Sequence, residues 1–281
     1  MLRIAVPNKG ALSEPARKIL SEAGYIRASR GNELVVADPE NDAEFFFLRP
    51  RDIAVYVGAG RLDLGFTGRD MLLDSAATAV EVLPLGFGAS TFRLAAPQGV
   101  ATSIQDFDGK RIATSYPGVL QNELDRNGVT ATIVKLDGAV ENAVALGVAD
   151  AVADVVDTGT TLRKAGLEVV GDTLLRSEGL LIRPAASEPD AAAANFIRRV
   201  EGVLAARLYV VADYDIKAEQ LDAASAITPG LVSPTVTPLR EEGWFAVRAM
   251  VKRAEVHGVR DALYDLGGRG ILVTDILACR L

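Results

Sequence analysis

The chain is expected to be an α/β protein of two lobes joined by two chain crossings, followed by a smaller βαββαβ domain of ferredoxin-like layout. Three features of the sequence lead there. Short apolar runs alternate with helix-length patterns over its first two thirds, so strands and helices take turns. Pro84-Leu-Gly-Phe-Gly-Ala-Ser90 and residues 180–187 have the composition of crossings between lobes. After Ala206 the order changes to strand, helix, two strands, helix, strand. The resulting division is a first lobe over 1–90, completed by about 180–206, a second over 91–179, and a C-terminal domain over 207–281. Roughly 75 residues suffice for the last.

In chain order, strands are expected at 2–6, 34–36, 45–48, 62–66, 80–85, 91–96, 111–114, 132–136, 151–156 and 177–182. Ser13 can cap a helix that runs to Ala23 and stops at Gly24. Pro50 opens another that reaches Gly58. Further helices cover 118–127, 139–146 and 158–165, each ended by a glycine, and an Ala-rich helix over 189–206 returns to the first lobe. This alternation argues for largely parallel sheets. The C-terminal domain reads as strand 208–213, helix 218–227, strands 235–239 and 245–251, helix 254–266 and strand 271–276. There is no internal repeat, and the only low-complexity tract is 191–194.

Composition removes several chemistries. With 30 basic and 37 acidic residues the net charge is −7, a poor basis for non-specific nucleic-acid binding. The single cysteine, Cys279, excludes an intrachain disulfide and a cysteine-built zinc site. The single histidine, His257, removes most catalytic triads and zinc-hydrolase designs. His257 reads as a surface helix residue, Cys279 as a small packing residue, Trp244 as a core anchor and Lys252-Arg253 as a solvated turn. No apolar stretch reaches the ~18 residues of a membrane span. The opening residues read as a strand and turn rather than a signal peptide, so a soluble, cytoplasmic protein without a membrane partner is expected.

The stretch from Glu141 to Leu162 carries the chemistry. An apolar strand, 152–156, runs into Asp157-Thr-Gly-Thr-Thr161 at the start of a helix. Amides at a helix N-terminus point outward with partial positive charge, Gly159 admits an anion to the backbone, and three threonine hydroxyls add donors. This makes a monophosphate-sized cradle, without the lysine and spacing of a P-loop. Asp154, at the strand's carboxyl end, can accept from two sugar hydroxyls, and the combination suits a ribose 5-phosphate. The same turn also satisfies the rules of an ordinary helix cap.

The wider pattern resembles the ATP phosphoribosyltransferase signature. Glu141, Gly147, Ala149, Val152, Asp154, Val155, Thr158, Gly159, Thr161 and Leu162 fill every fixed position of that signature. Ala5-Val-Pro-Asn-Lys-Gly10, Phe46-Phe-Leu-Arg-Pro50, Gly65-Phe-Thr-Gly-Arg-Asp70, Ile112-Ala-Thr-Ser-Tyr-Pro117 and Leu136-Asp-Gly-Ala-Val-Glu141 resemble further blocks of the family, so the likeness covers the whole chain. It implies a periplasmic-binding-protein-like catalytic core, and a C-terminal third like the ACT-like regulatory domain of the long form. Two-lobed binding proteins share this layout, but the full signature favours the enzyme. Phosphoribosyltransferases that act on free bases commonly carry two adjacent acids before the phosphate loop, whereas Asp154 is flanked by Ala153 and Val155. The intact Lys9, Arg49 and threonine turn weigh against a catalytically dead subunit.

The resemblance implies that adenine N1 of ATP attacks the anomeric carbon of phosphoribosyl pyrophosphate while Mg²⁺-bound pyrophosphate leaves. No strong base is needed, so positioning and electrostatics should carry the reaction. It places Asp154, Val155, Thr158, Gly159, Thr160, Thr161 and Leu162 on the phosphoribosyl group. Lys9, Arg49, Asp154 and Glu141 become the catalytic candidates, and Asp70, Ser90, Tyr116 and Asp137 the ATP-binding ones. Asp137 could equally cap the helix that follows it. No residue is assigned to the metal. In the C-terminal domain Asp215, Leu231, Ser233, Thr235, Met250 and Gly270 are the candidates for binding free L-histidine as an allosteric inhibitor. The family's assembly implies a homo-oligomer, dimer to hexamer.

Overall fold

The computed structural model describes residues 1–25, 33–156 and 159–279. The chain divides into two compact units, one of residues 1–18 and 26–194, the other of residues 19–25 and 195–281.

The first unit holds two sheets. One is built from β1 (Leu2–Pro7), which leads into α1 (Ser13–Glu22), whose last four residues belong to the second unit, then β2 (Val35–Asp38), β3 (Ala43–Leu48), α2 (Pro50–Gly58), β4 (Leu64–Gly68), α3 (Arg69–Ser75) and β5 (Ala79–Pro84). The second is built from β6 (Ser90–Pro97), β7 (Arg111–Thr114), α4 (Pro117–Asn127), β8 (Thr132–Lys135), α5 (Asn142–Ala145), β9 (Ala151–Val156), α6 (Thr160–Lys164) and β10 (Leu167–Ser177). β11 (Gly179–Pro184) then returns to the first sheet, whose order is β2-β3-β1-β4-β11-β5; the second runs β10-β6-β9-β7-β8. This is the twice-crossed, two-lobed α/β arrangement expected from the sequence.

Parallel pairing holds at the centre of the first sheet and along one side of the second, out to its edge strand β8. β1 runs parallel to β3 and β4, and β7 to β8 and β9. The strands flanking the crossings, β6, β10 and β11, pair antiparallel, as does β2 with β3. The expectation of largely parallel sheets is corrected accordingly. A strand that arrives directly from the other lobe has no helical crossover to turn it round, and so runs against its neighbours.

Local sequence explains the helices that frame the site. Pro50 occupies the first turn of α2, where its missing N–H is no loss. Ile53, Ala54 and Val57 are buried on one face of that helix. They sit directly on β4, where a Cβ on Gly65 would lie 2.7 Å from Ile53 Cγ2 and 2.9 Å from Val57 Cγ2. Glycine is therefore what lets helix and strand approach this closely. Burying an Ile or Val contributes about 1.5–3 kcal/mol. In the second lobe Phe92, Leu94, Ile112, Leu120, Leu124 and Phe107 form one core cluster.

Two elements differ from the sequence expectation. The short helix α3 and the long strand β10 were not anticipated, because α3 spans only seven residues and a register shift between Val170 and Leu175 interrupts β10.

In the second unit α7 (Ala191–Leu208), whose opening residues belong to the first unit, precedes β12 (Tyr209–Lys217), α8 (Leu221–Ile227), β13 (Thr235–Pro238), β14 (Trp244–Lys252), α9 (Val256–Asp265) and β15 (Arg269–Asp275). The sheet order β13-β14-β12-β15 is the ferredoxin-like one. Alternate residues of β12, Val210, Ala212, Tyr214 and Ile216, are buried, so one face of the sheet is packed. His257 lies exposed on α9, and Cys279 is half-buried with Sγ 3.6 Å from the Gly202 carbonyl. Trp244 is only half-buried at the strand end and is not the core anchor; Tyr214, Ile216, Val247 and Leu263 are. Arg253 is no mere solvated charge either. It donates to the carbonyls of Arg207 and Tyr209 and pairs with Asp275 at 2.8 Å.

Candidate functional site

The sheet order brings the predicted residues into two rows. In the first lobe β3, β1 and β4 are neighbours running the same way. Arg49, Lys9 and Asp70 each follow the carboxyl end of one of them. In the second lobe β8, β7 and β9 are parallel neighbours, and Asp137, Tyr116 and Asp154 stand at or just beyond their carboxyl ends. Open α/β sheets bind ligands at such ends.

Side chains connect the rows. Tyr116 lies between β7 and α4, its amide held by Thr114 Oγ1 at 2.9 Å. It is 8% exposed. Phe92 meets its ring edge-on at 5.8 Å between centroids, and the Arg51 guanidinium from the first lobe lies 4.3 Å over it. Burial pushes the Tyr116 phenol well up. The charge of Asp70 and a hydrogen bond to it add to the shift, as does the charge of Asp154, and Arg51 opposes it.

Asp70 is buried at the start of α3. Its amide donates to Ser177 Oγ at 3.0 Å, and Oδ1 accepts from the Ser177 hydroxyl at 3.0 Å and the Met71 amide at 2.9 Å. Ser90 pairs with Ser177 in the register of β6 and β10 and so lies beside this contact.

Asp154 is half-buried near the end of β9, with the Val155 amide donating to Oδ1 at 2.8 Å. Burial raises its carboxyl pKa, the Val155 hydrogen bond opposes that, the charge of Glu141 adds to it, and Arg51 offsets part. Glu141, half-buried before α5, is therefore close enough to be felt. The Asp154–Glu141 pair has the donor chemistry that suits a hard divalent cation. Among the described residues no cluster of three or more His, Cys, Asp or Glu forms a ready-made metal site.

At the turn after β9, Gly159 takes φ +70, and α6 follows with Thr160 and Thr161 exposed. Leu162 points the other way, buried with Val152, Ala143 and Ala149, and anchors the turn to the core. Val155 is partly buried against the second-lobe core. Thr158 lies outside the described residues. Lys9 and Arg49 are exposed, as is Asp137.

Three contributors escaped the sequence reading. Arg51 reaches both Tyr116 and Asp74, the latter at 3.2 Å. Asp74 Oδ1 in turn accepts from the Gly118 and Val119 amides at 2.8 and 3.3 Å, so the first lobe caps a helix of the second. Ser177 holds Asp70. The available signal was position: Arg51 sits in the first turn after a strand's carboxyl end, two residues from the chosen Arg49.

In the C-terminal domain a Cβ on Gly270 would lie 3.5 Å from Asp215 Oδ2, and Gly270 has φ +59. Leu231 and Ser233 are exposed in the loop before β13, and Thr235 opens that strand. Met250 pairs with Val211, four residues along β12 from Asp215, so some 13 Å separates them. The structure joins Asp215 to Gly270 and leaves Met250 apart.

Among the described residues no helix is long and apolar enough to cross a membrane. A family model described as ATP phosphoribosyltransferase matches residues 49–202, and one described as HisG, C-terminal domain matches 206–278. The chain is 58% identical to an ATP phosphoribosyltransferase of Pseudarthrobacter chlorophenolicus and 56% identical to one of Streptomyces coelicolor, each alignment covering 100% of both proteins. A solved ATP phosphoribosyl transferase (HisG:HisZ) complex from Thermotoga maritima contains a chain that superimposes with a TM-score of 0.65 at 28% identity. It covers 73% of this chain and 99% of that one.

Proposed function

Since the chain belongs to the ATP phosphoribosyltransferase family, pentosyltransferases of histidine biosynthesis, in the long form with its own C-terminal domain, we propose the following division of labour. The 5-phosphate of phosphoribosyl pyrophosphate lies on the turn from Thr158 to Thr161, with Val155 and Leu162 fixing that turn from behind. Asp154 accepts from the ribose hydroxyls. The adenine of ATP stacks at Tyr116, near Asp70, Ser90 and Asp137. Adenine N1 forms the new bond to the anomeric carbon as the bond to pyrophosphate breaks, giving phosphoribosyl-ATP and pyrophosphate.

The reacting centre gains positive charge while the leaving group gains negative charge. Lys9 and Arg49, side by side at two strand ends, stabilise the pyrophosphate; Asp154 and Glu141 stabilise the oxocarbenium-like carbon. Asp154 and Glu141 are the residues that would hold Mg²⁺, whose chemistry is neutralisation of the leaving pyrophosphate. The observation that supports this reading best is the approach of Asp70, Tyr116 and Asp154 from two lobes to one place.

In the C-terminal domain Asp215 beside Gly270 receives the ammonium of L-histidine, and Leu231, Ser233 and Thr235 line that region, with Met250 set apart from it along the sheet. The regulatory reading further holds that the chain works as a cytoplasmic homo-oligomer, dimer to hexamer, with a first lobe over 1–90 completed by about 180–206, a second over 91–179 and a regulatory domain over 207–281.

The test is to mix purified protein with ATP, phosphoribosyl pyrophosphate and Mg²⁺ and follow the adduct's absorbance with and without L-histidine. Absence of product from folded protein refutes the catalytic reading; product formation indifferent to histidine refutes the regulatory one. Asp215→Ala should abolish inhibition while leaving uninhibited turnover within about twofold.

A further inference from the structure

We propose that Arg51 gates the nucleotide site: its guanidinium occupies the face of Tyr116 on which adenine stacks, and it swings off when the base arrives. This rests on the reading of Tyr116 as the adenine platform. The Tyr116 ring is covered above by Arg51 at 4.3 Å and met edge-on by Phe92, and only 8% of the residue is exposed. An adenine ring stacks at the same distance as a guanidinium, so the two cannot share that face.

Arg51 is the part able to move. Its side chain is 45% exposed, on the first turn of α2, whereas Tyr116 is wedged between β7 and α4. Arg51 is held otherwise by Asp74 Oδ2 at 3.2 Å, an ion pair whose carboxylate is largely buried but whose guanidinium end is open to solvent, where screening weakens it. Asp74 divides its oxygens: Oδ1 caps α4 through Gly118 and Val119, and Oδ2 receives Arg51. Release of the guanidinium therefore leaves the helix cap, and with it the position of Tyr116, undisturbed. The backbone is fixed here as well, since a Cβ on Gly118 would lie 2.6 Å from the Asp74 carbonyl oxygen.

The gate predicts a gain of affinity on removing a cation near the site. Adenosine is the probe, because it has the base and no phosphates for Arg51 to attract. By calorimetry Arg51→Ala and Arg51→Gln should each bind adenosine about three- to tenfold more tightly than wild type, the sum of one stacking contact and one weak ion pair. The gain should persist in a Tyr116→Phe background, which keeps the ring, and vanish in Tyr116→Leu. Unchanged or weaker adenosine binding in both Arg51 variants, or a gain that survives ring removal, overturns the gate. Failure to detect adenosine binding to either Arg51 variant overturns it too. The outcome is separable from the reaction itself: wild-type turnover with an affinity ratio of one removes the gate and leaves the enzyme reading standing. If Tyr116→Leu does not fold, the Arg51 variants in the wild-type and Tyr116→Phe backgrounds still decide it.

Discussion

Replacing Asp74 by alanine should loosen the seam between the two lobes in a way that can be read at two amides. The first amides of a helix have no partner inside it. In α4 those of Gly118 and Val119 are satisfied by Asp74 Oδ1, a carboxylate reaching across from α3. Loss of a capping side chain costs about 1–2 kcal/mol. The ion pair to Arg51, whose side chain is 45% exposed, adds at most about 1 kcal/mol after solvent screening. Asp74→Ala should therefore lower stability by about 2 kcal/mol, and Asp74→Asn, which keeps an acceptor oxygen, by less than about 1 kcal/mol. Urea denaturation gives the global figure. Amide hydrogen exchange gives the local one: about 2 kcal/mol corresponds to roughly thirtyfold faster exchange at Gly118 and Val119. If those two amides exchange no faster in Asp74→Ala than in the wild type, Asp74 is not their acceptor and the argument for the seam fails.

Asp154→Asn should remove phosphoribosyl transfer and stabilise the protein at once. The folded state holds the Asp154 carboxyl above its ordinary 3.8, chiefly by burial, so the folded chain binds more protons than the unfolded one between those values. Its ionised form is thus a liability that sets in as pH rises through that window and persists above it. The Asn variant should melt higher at neutral pH while losing about 10²-fold or more in kcat/KM; a variant that melts lower at pH 7 contradicts the assignment. Gly65→Ala forces a methyl to within 2.7 Å of Ile53 Cγ2 and should cost about 1–3 kcal/mol, measured by thermal melting. Asp150 behaves oppositely to Asp154: side-chain and backbone hydrogen bonds from Arg111 pull its carboxyl down to about 2. Its contribution is complete above the unfolded 3.8 and disappears as pH falls through about 2, so Asp150→Asn should flatten the acid limb of the melting profile.

Much of this architecture was legible beforehand, and the exceptions have physical causes. The boundaries of α2, β7 and β9 matched the expected residues because proline, glycine and apolar runs mark them unambiguously. α3 was missed because seven residues carry too little periodicity to register against a neighbouring strand. β10 was missed because Gly171 and Asp172 interrupt its alternation where the register shifts. The family pattern marks Asp70, Tyr116 and Asp154, and the alternation of elements alone puts them at parallel strand ends. Arg51 was passed over because an exposed arginine in a helix is ordinarily a solvated charge. Its role depends on a contact across 65 residues of chain that no local pattern encodes. Asp74 and Ser177 escaped for the same reason.

The placement of β11 has a consequence for how the polypeptide is made. That strand, residues 179–184, lies between β4 and the edge strand β5 in the first sheet, so in the lobe begun at residue 2 β4 and β5 have nothing between them until residue 184 has emerged. The second sheet draws every strand from one uninterrupted run, residues 90–177. On the ribosome the later segment is thus the earlier one able to close, while the N-terminal strands wait with an open edge. A translational pause after residue 177 has emerged and before residue 184 has done so would prolong that vulnerable interval, and a pause after residue 184 has emerged would not.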